Sequence, residues 1–154
     1  MEKQRVTLQE INENNWLAAA RLEHGPEQGR FVGDALEILA RAYVYRGDNA
    51  RALLICSNDV PVGLLLVRDL REEPACYDLQ ELLIDERHQN KGHAQAALAV
   101  LLEELREERK FPRVDLCVHK DDAPAIHIYE KLGFEDTGYR DPDAPDCICM
   151  SLTL

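Results

Sequence analysis

The sequence lacks any apolar run approaching the roughly 20 residues that a membrane-spanning helix needs. Its first residues, Met1 to Arg5, lead into polar chain and not into the apolar stretch of a secretory signal. Hydrophobic residues make up 45% of the chain and charged residues 31%, a balance typical of soluble globular proteins. With 154 residues, the chain has the usual size of one domain. We therefore expect a cytoplasmic protein, not bound to a membrane, with one domain over residues 1–154.

Paired-cysteine and clustered-histidine spacings, from which zinc sites and redox centres are built, are also missing. The five cysteines are an odd number and are scattered: Cys56, Cys76, Cys117, Cys147 and Cys149. We expect reduced thiols and no metal. Cys117 and Cys149 fall within apolar strand-like runs, where a free cysteine usually acts as a small buried hydrophobe.

Basic residues are scarce, since 18 lysines and arginines face 29 acids and leave a net charge of −11. Such a charge disfavours nucleic acid as a partner. Two interpretations of it stay open. An acidic field would raise the local concentration of a cationic substrate, whereas the same acids could simply keep the surface soluble.

The first half of the chain is predicted to hold two helices ahead of three strands. A short strand at 6–8 precedes a helix that carries Trp16, Leu17, Ala20 and Leu22. A second helix is predicted over 31–45, with Leu36, Leu39, Ala40 and Tyr43 on its buried face. Strands then follow at 52–56, 62–67 and 77–84, and the turn residues at 57–59 predict antiparallel neighbours.

The second half begins with a long helix from Ala94, whose apolar stripe is Ala94, Leu98, Leu101, Leu102 and Leu105. A strand at 113–118 and a helix at 124–132 follow, and two final strands at 134–139 and 147–154 form a hairpin. The strand–helix–strand order predicts a right-handed parallel crossover. Together these elements predict an α/β fold, a mixed sheet with helices on both faces.

The long helix opens on a loop, Gln89-Asn90-Lys91-Gly92-His93-Ala94, that follows the strand at 79–84. A helix start presents unpaired N–H groups and the positive end of the helix dipole, which together hold phosphate. Gly92 lets the backbone approach a ligand closely. Four residues add positive or titratable charge nearby: Arg87, His88, Lys91 and His93. Taken alone, the loop could be an anion site or a plain turn.

A second motif, Tyr129-x-x-x-Gly133-Phe134, lies downstream of this loop. The pair resembles the GNAT superfamily of N-acetyltransferases, in which a Gln/Arg-x-x-Gly-x-Gly/Ala loop is followed by a Tyr-x-x-x-Gly-Phe segment. Three further segments are similar to the bacterial spermine and spermidine acetyltransferase branch: Asn15-Trp16, Gln28-x-x-Phe31-Val32 and the run 84–89.

This resemblance implies a mixed, mostly antiparallel sheet in which the strand before the loop splays from its neighbour, and acetyl-CoA as co-substrate. It assigns the pyrophosphate to the backbone of Gln89, Asn90, Lys91, Gly92, His93 and Ala94, and the pantetheine arm to Leu82, Leu83 and Ile84. Asp122 stands where relatives often carry an asparagine that binds pantetheine. Because an ionised aspartate accepts but cannot donate a hydrogen bond, that contact stays open.

The resemblance also implies a general acid, Tyr129, which would protonate the departing thiolate. Many relatives carry an acid nine positions before the first glutamine of the loop, but this chain has Gln80 there and Glu81 beside it. Along a regular strand these two residues would face opposite sides, unless a bulge intervenes. Glu81 is the predicted base, a solvated strand-end carboxylate is the alternative reading, and His119 is a further candidate by position.

The implied reaction is direct transfer of an acetyl group to a primary amine. The branch resemblance, which is less specific than the superfamily resemblance, implies that this amine is a small cation such as a polyamine. One alternative is acetylation of a protein N-terminus or lysine. Another is a non-catalytic acyl-CoA sensor, which Gln80 and Asp122 favour by standing where functional residues are expected. A homodimer also remains open.

Overall fold

A computed structural model describes residues 4–154, apart from the side chain of Arg30, so residues 1–3 of the predicted domain lie outside the described residues. The strands are β1 (Val6–Glu10), β2 (Arg51–Ser57), β3 (Val60–Leu70), β4 (Cys76–Ile84), β5 (Arg113–His119), β6 (Glu135–Asp136) and β7 (Cys147–Thr153). The helices are α1 (Trp16–Ala20), α2 (Ala35–Val44), α3 (His93–Glu108) and α4 (Ala123–Lys131), with 3-10 turns at Gln28–Arg30, Arg46–Asp48 and Glu86–His88.

The strands form one sheet in the order β1-β2-β3-β4-β5-β7-β6. All neighbours are antiparallel except β4 and β5, which are parallel and joined through α3. The predicted α/β fold and its parallel crossover are thus confirmed. The final hairpin is present, but β6 has two residues where six were predicted. No helix within residues 4–154 is both long and apolar enough to cross a membrane.

The two faces of the sheet pack against different helices. Along β3, Leu65 and Val67 join a core with α3, while Leu64 and Leu66 join a second core with α1 and α2. Because both faces are covered, the strand reads as a continuous apolar run. Burying each such leucine stabilises the fold by about 1.5–3 kcal/mol relative to exposure.

Of the predicted face of α2, Leu39 packs against the core, but the rest of that face is wrong. Ala35 and Ile38 are buried and Ala42 packs beside them, whereas Leu36 and Tyr43 are exposed. The helix also starts later than predicted, at Ala35, because the Asp34 side chain accepts from the Glu37 N–H and caps it there. Apolar residues occur on several sides of this helix, and the sheet takes the stripe with spacing i, i+3, i+7.

The strand before the loop contains a β-bulge. Leu66 of β3 pairs with Glu81 and Val67 pairs with Leu79, so Gln80 is the extra residue on β4. Leu79 packs toward α3, but Glu81 faces α2, where Arg41 binds its carboxylate. Gln80 lies on that same face, because its amide oxygen, suitably oriented, accepts from the Arg68 guanidinium that also binds Asp78. The bulge therefore brings Gln80 and Glu81 to one side.

At the same point β4 and β5 diverge. They pair only from Tyr77 to Leu79, opposite Val114 to Leu116. Beyond that pairing β4 runs on to Ile84 and β5 to His119 without a shared ladder. A bulge bends its strand, so Gln80 stands where the strands part. The splay implied by the resemblance is present, and it opens a gap in the sheet.

Candidate active site

The gap opens into a cleft of about 300 Å³. Strand β4 lines it with Leu79, Gln80, Glu81, Leu82, Leu83 and Ile84, and β5 with Cys117, Val118 and His119. Helix α4 contributes Pro124, Ala125, Ile128 and Tyr129, the segment before α2 contributes His24, Gln28, Phe31 and Val32, and Ala94, Asp122 and Cys147 complete the wall. The predicted acid, the predicted base and the predicted pantetheine residues therefore surround one space.

The backbone of β4 presents polar groups to this gap. The Asp85 N–H donates to Val62 of β3, so backbone groups alternate and those of Leu82 and Ile84 point away from β3. The Ile84 carbonyl is indeed reached from the other side, by the Gln89 amide at 3.1 Å. Leu83 lines the cleft while its backbone faces β3. Leu82 and Ile84 thus have the geometry to bind an extended ligand along the free edge.

The predicted phosphate loop has the geometry of an anion site. Asn90 and Gly92 are left-handed, with φ of 62° and 80°. The first hydrogen bond of α3 runs from the Ala96 N–H to the Gly92 carbonyl, so the N–H groups of His93, Ala94 and Gln95 have no acceptor within the helix. A Cβ added at Gly92 would meet no heavy atom of the described residues within 4 Å. N–H groups without an acceptor in the helix are suited to binding a phosphate group.

The charge around this loop differs from the expectation in two places. His93 is buried, and burial, followed by the nearby His88 and Lys91, lowers its pKa, so the imidazole is neutral at neutral pH. Arg87 is engaged by the Asp85 carboxylate at 2.9 Å. Lys91, which is exposed, remains as a cation at the loop. The backbone is therefore the main anion donor here.

Asp85 ties this region to the segment before α2. Its buried carboxylate accepts from the Arg87 side chain and from the Glu23 and Arg87 N–H groups, at 2.9–3.0 Å. Burial alone would raise its pKa, but these hydrogen bonds, the Arg87 side chain first, hold the pKa at about 2. The carboxylate thereby fixes Glu23 beside the turn that leads into the phosphate loop.

Asp85→Asn is expected to reduce the free energy of unfolding at pH 7 by about 2 kcal/mol, the value of lowering the pKa from 3.8 to about 2. A depressed carboxyl pKa stabilises the fold above the unfolded pKa, so the parent should lose this contribution as the pH falls from about 4 to about 2. Urea unfolding at several pH values measures both effects. Glu86→Gln, which alters an exposed neighbouring carboxylate, is the control, and equal losses in the two variants would contradict the assignment.

Tyr129 stands in the cleft wall as predicted. The residue is 8% exposed, and its ring packs edge-on against Phe134, with ring centroids 5.7 Å apart. Burial raises the pKa of its hydroxyl above the ordinary value of about 10, and the charges of Asp122 and Glu81 raise it further. The hydroxyl therefore keeps its proton at neutral pH, the state required of a proton donor.

Glu81 is a partly buried carboxylate. Arg41 of α2 donates to it at 2.7 Å and the Gly33 N–H lies 3.4 Å away. Burial raises its pKa above 4.5, although Arg41 and Gly33 act in the opposite direction. A carboxylate with a raised pKa is a stronger base than a solvated one. The alternative of a solvated strand end does not describe this side chain, which is 13% exposed.

Asp122 caps α4. Its Oδ1 accepts from the Ala125 N–H at 3.3 Å, and burial raises its pKa. The carboxylate also lines the cleft beside Tyr129. Its observed role is the helix cap, and its contact with pantetheine stays a prediction.

Sequence reasoning missed the wall formed by the segment before α2. Gln28 accepts a hydrogen bond from the Gln89 side chain, which joins this segment to the phosphate loop. The Phe31 ring lies 5.0 Å from the His119 ring across the cleft. His24 has Nδ1 3.0 Å from the Gly25 carbonyl, so a proton on Nδ1 leaves Nε2 of the neutral ring as an acceptor. The Gln28-x-x-Phe31-Val32 similarity was the available signal.

Cys117 is not the buried hydrophobe that the strand pattern predicted. It is exposed at the cleft, and its sulfur lies 3.1 Å from that of Cys149, which is half-buried. Val118 packs into the core with α3. The neighbouring Cys117 therefore points to the opposite face of β5. Within residues 4–154 no group of three or more histidines, cysteines or acids is arranged to hold a metal.

Curated relatives share part of this chain. L-amino acid N-acetyltransferase AaaT of Escherichia coli (strain K12) is 31% identical over 90 residues, which cover 57% of this chain and 55% of that protein. Spermine/spermidine N(1)-acetyltransferase of Bacillus subtilis (strain 168) is 35% identical over 63 residues, 41% of each chain. The matches thus span about half, or less, of these relatives.

Solved structures share the fold as a whole. The crystal structure of spermidine N-acetyltransferase from Vibrio cholerae, in complex with CoA and spermine, matches 96% of this chain and 95% of its own with a TM-score of 0.75 at 17% identity. The profile of the acetyltransferase (GNAT) family matches residues 13–134, which include the phosphate loop, the splayed strand and the Tyr129 segment. The resemblance in the two motifs is confirmed, and the chain belongs to the acetyltransferase (GNAT) family.

Proposed function

We propose that this chain transfers an acetyl group from acetyl-CoA to a primary amine, by direct attack of the amine without an acyl-enzyme. The observation that supports it best is the cleft at the splay, where a helix start, a free strand edge, a protonated tyrosine and a partly buried carboxylate converge. Acetyl-CoA, when bound, supplies the activated acetyl group.

The backbone holds the donor in this proposal. The N–H groups at the start of α3 bind the pyrophosphate, and those of Leu82 and Ile84 bind the pantetheine amides. A fixed N–H at the free edge of β4 also polarises the thioester carbonyl, since preorganised donors stabilise developing negative charge. Tyr129 donates its proton to the departing sulfur.

Glu81 removes a proton from the amine, which is mostly protonated at pH 7 and must be neutral to attack. The bulge absorbs Gln80 as an extra residue, so Glu81 keeps its place opposite Leu66, on the same face as Gln80. A glutamine at position 80 therefore does not deprive the cleft of a carboxylate. This favours an enzyme over a sensor.

The acceptor is a small cationic amine such as a polyamine. The net charge of −11 and the carboxylates of Glu81 and Asp122 in the cleft support a cation. The Bacillus relative carries spermine and spermidine in its name, while the Escherichia relative is named for L-amino acids. An amino acid carries a carboxylate that a polyamine lacks, and the acidic cleft would repel that carboxylate.

The test is release of free thiol from acetyl-CoA with a panel of acceptors. Spermidine, an L-amino acid, a peptide with a free N-terminus and a peptide with an internal lysine represent the competing assignments. The highest kcat/KM is expected with spermidine. A peptide or amino acid in first place would overturn the polyamine assignment, and binding without thiol release from any acceptor would identify a sensor.

Glu81→Gln is expected to lower kcat by at least about 10²-fold, because the amine loses its base. The parent rate should rise with pH as the Glu81 carboxyl ionises, and this acid limb should disappear in the variant. Asp78→Asn is a matched control, since Asp78 is an arginine-paired carboxylate on the same face of β4 and does not line the cleft. It should leave kcat within about threefold.

His24→Gln tests a rival base, because His24 lines the cleft and its Nε2 is an acceptor in the tautomer whose Nδ1 donates to the Gly25 carbonyl. If Glu81→Gln leaves the acid limb in place while His24→Gln abolishes it, the base is the imidazole. Retention of the limb in both variants would assign proton removal to solvent.

A further inference from the structure

One face of the β5–β7 pair carries three thiols that the acetyl-transfer chemistry does not use. Cys117 of β5 lies directly across from Cys149 of β7, and their sulfurs are 3.1 Å apart. Cys147 lies two residues along β7 and pairs with His119. Cys117 and Cys147 also line the cleft. Cys56 and Cys76 are buried on other strands.

The hydrogen-bond pattern makes Cys117 and Cys149 a non-hydrogen-bonded pair. The Cys149 carbonyl accepts from the Thr137 N–H beside β6, so its backbone groups point away from β5. The Lys120 N–H donates to the Asp146 carbonyl, so these two residues form a hydrogen-bonded pair. Bonded and non-bonded pairs alternate along an antiparallel ladder, and counting from this pair also makes Cys117 and Cys149 a non-bonded pair. In non-hydrogen-bonded pairs the Cα atoms approach to about 4.5 Å, within the range that a disulfide spans.

We propose that Cys117 and Cys149 are a modification site at which a low-molecular-weight disulfide drives formation of a reversible cross-strand disulfide in the cleft wall. One cysteine thiolate attacks a sulfur of the small disulfide, forms a mixed disulfide and releases one small thiol. The second cysteine thiolate attacks the protein sulfur of that mixed disulfide and releases the other small thiol. Two protein S–H groups become one S–S bond, and the oxidant is reduced to two thiols.

The surroundings of the three thiols determine how fast they exchange with a disulfide and which two of them form the bond. Partial loss of solvent raises the pKa of Cys117 to about 12, and its contact with Cys149 adds to the shift. Loss of solvent also raises the pKa of Cys147. Since the thiolate is the attacking species, exchange is slow at neutral pH and faster above it. Cys147 faces His119 and not a second thiol, so it has no directly opposite partner for a cross-strand bond.

The bond would act on the cleft, and this part rests on the proposed function. Facing Cβ atoms are about 4.5–5.5 Å apart in a sheet but about 3.8 Å apart in a disulfide, so closure tightens the strands locally. Cys117 follows Leu116, the last residue of β5 that pairs with β4. Tightening there moves the cleft wall, and we expect acetyl transfer to fall by more than threefold.

The experiment incubates the full chain with oxidised glutathione at pH 8.5 and measures intact mass and turnover. The expected product has lost about 2 Da and regains its mass and activity with dithiothreitol. Cys149→Ser should prevent the loss. Cys147→Ser, which removes the neighbouring thiol of the same strand, should still lose about 2 Da. Both variants are needed because no trypsin site separates Cys147 from Cys149, so one tryptic peptide contains both cysteines.

Stable glutathione adducts, or a mass loss that depends on Cys147 and not on Cys149, would overturn the proposal. Formation of the bond with unchanged turnover would overturn the effect on the cleft. If the chain proves not to transfer acetyl groups, the mass measurements still decide whether the modification site exists.

Discussion

Substituting glutamate for Gly92 is expected to abolish the thermal stabilisation that acetyl-CoA gives the parent. A ligand at about 100 times its Kd that binds only the native state adds roughly 2.7 kcal/mol, or about 5–10 °C for a chain of this size. Gly92 is the N-cap of α3, so a glutamate at this position adds a negative charge next to the N–H groups of the helix start, where it repels phosphate. Thermal unfolding with and without acetyl-CoA measures the loss.

Gly138→Glu is the matched control for this change. Gly138 has φ of 79°, close to the 80° of Gly92, and a Cβ there also meets no described atom within 4 Å. It lies after β6 and does not line the cleft. Both variants carry the same backbone strain and the same added charge, so their melting temperatures without ligand should be similar. A full acetyl-CoA shift in folded Gly92→Glu would show that the phosphate loop is misassigned.

Tyr129→Phe is expected to lower kcat by about 10²–10³-fold while acetyl-CoA binding stays near the parent value. The ring and its packing on Phe134 remain, and only the proton donor is lost. A thiolate is a tolerable leaving group, so a loss below about threefold would mean that the hydroxyl does not donate in the rate-limiting step. Steady-state kinetics together with a binding isotherm separate the two effects.

The pH dependence of this loss is a second readout. Because burial and neighbouring carboxylates raise the Tyr129 pKa, the hydroxyl stays protonated and the ratio of parent to variant kcat should be constant from pH 6.5 to about 9.5. A ratio that collapses above pH 8 would contradict this. Tyr77→Phe, which removes a buried hydroxyl that accepts from the Lys110 N–H outside the cleft, should lower stability without this kinetic effect.

Much of the architecture could be predicted from the sequence because its periodicities are strong. The stripe from Leu98 to Leu105 predicts α3, whose leucines are buried as expected. The alternation from Val114 to Val118 predicts β5, and Gly133 marks the end of α4 with φ of 101°. These signals are local, so a single sequence carries them.

The misplaced features depend on contacts between distant segments. The face of α2 was ambiguous because apolar residues surround that helix, and packing on the sheet selected Ile38 over Leu36. Cys117 is exposed because, within residues 4–154, the core built with α1 and α2 includes residues of β2, β3 and β4 but none of β5 or β7. The wall built from His24 to Val32 joins the cleft through Gln28 and Gln89, 61 positions apart. No periodicity reports such a contact.

The bulge at Gln80 also bears on how this strand can evolve. Without Gln80, Leu79 and Glu81 would be consecutive, and regular alternation would still send Leu79 toward α3, Glu81 toward α2 and Leu82 back toward α3. A lineage can therefore gain or lose one codon here while its carboxylate keeps the same orientation. If relatives are compared by counting residues back from the loop, Gln80 is matched with an acid that is not its spatial equivalent. The comparison then suggests that the acid is lost, although Glu81 is the next residue.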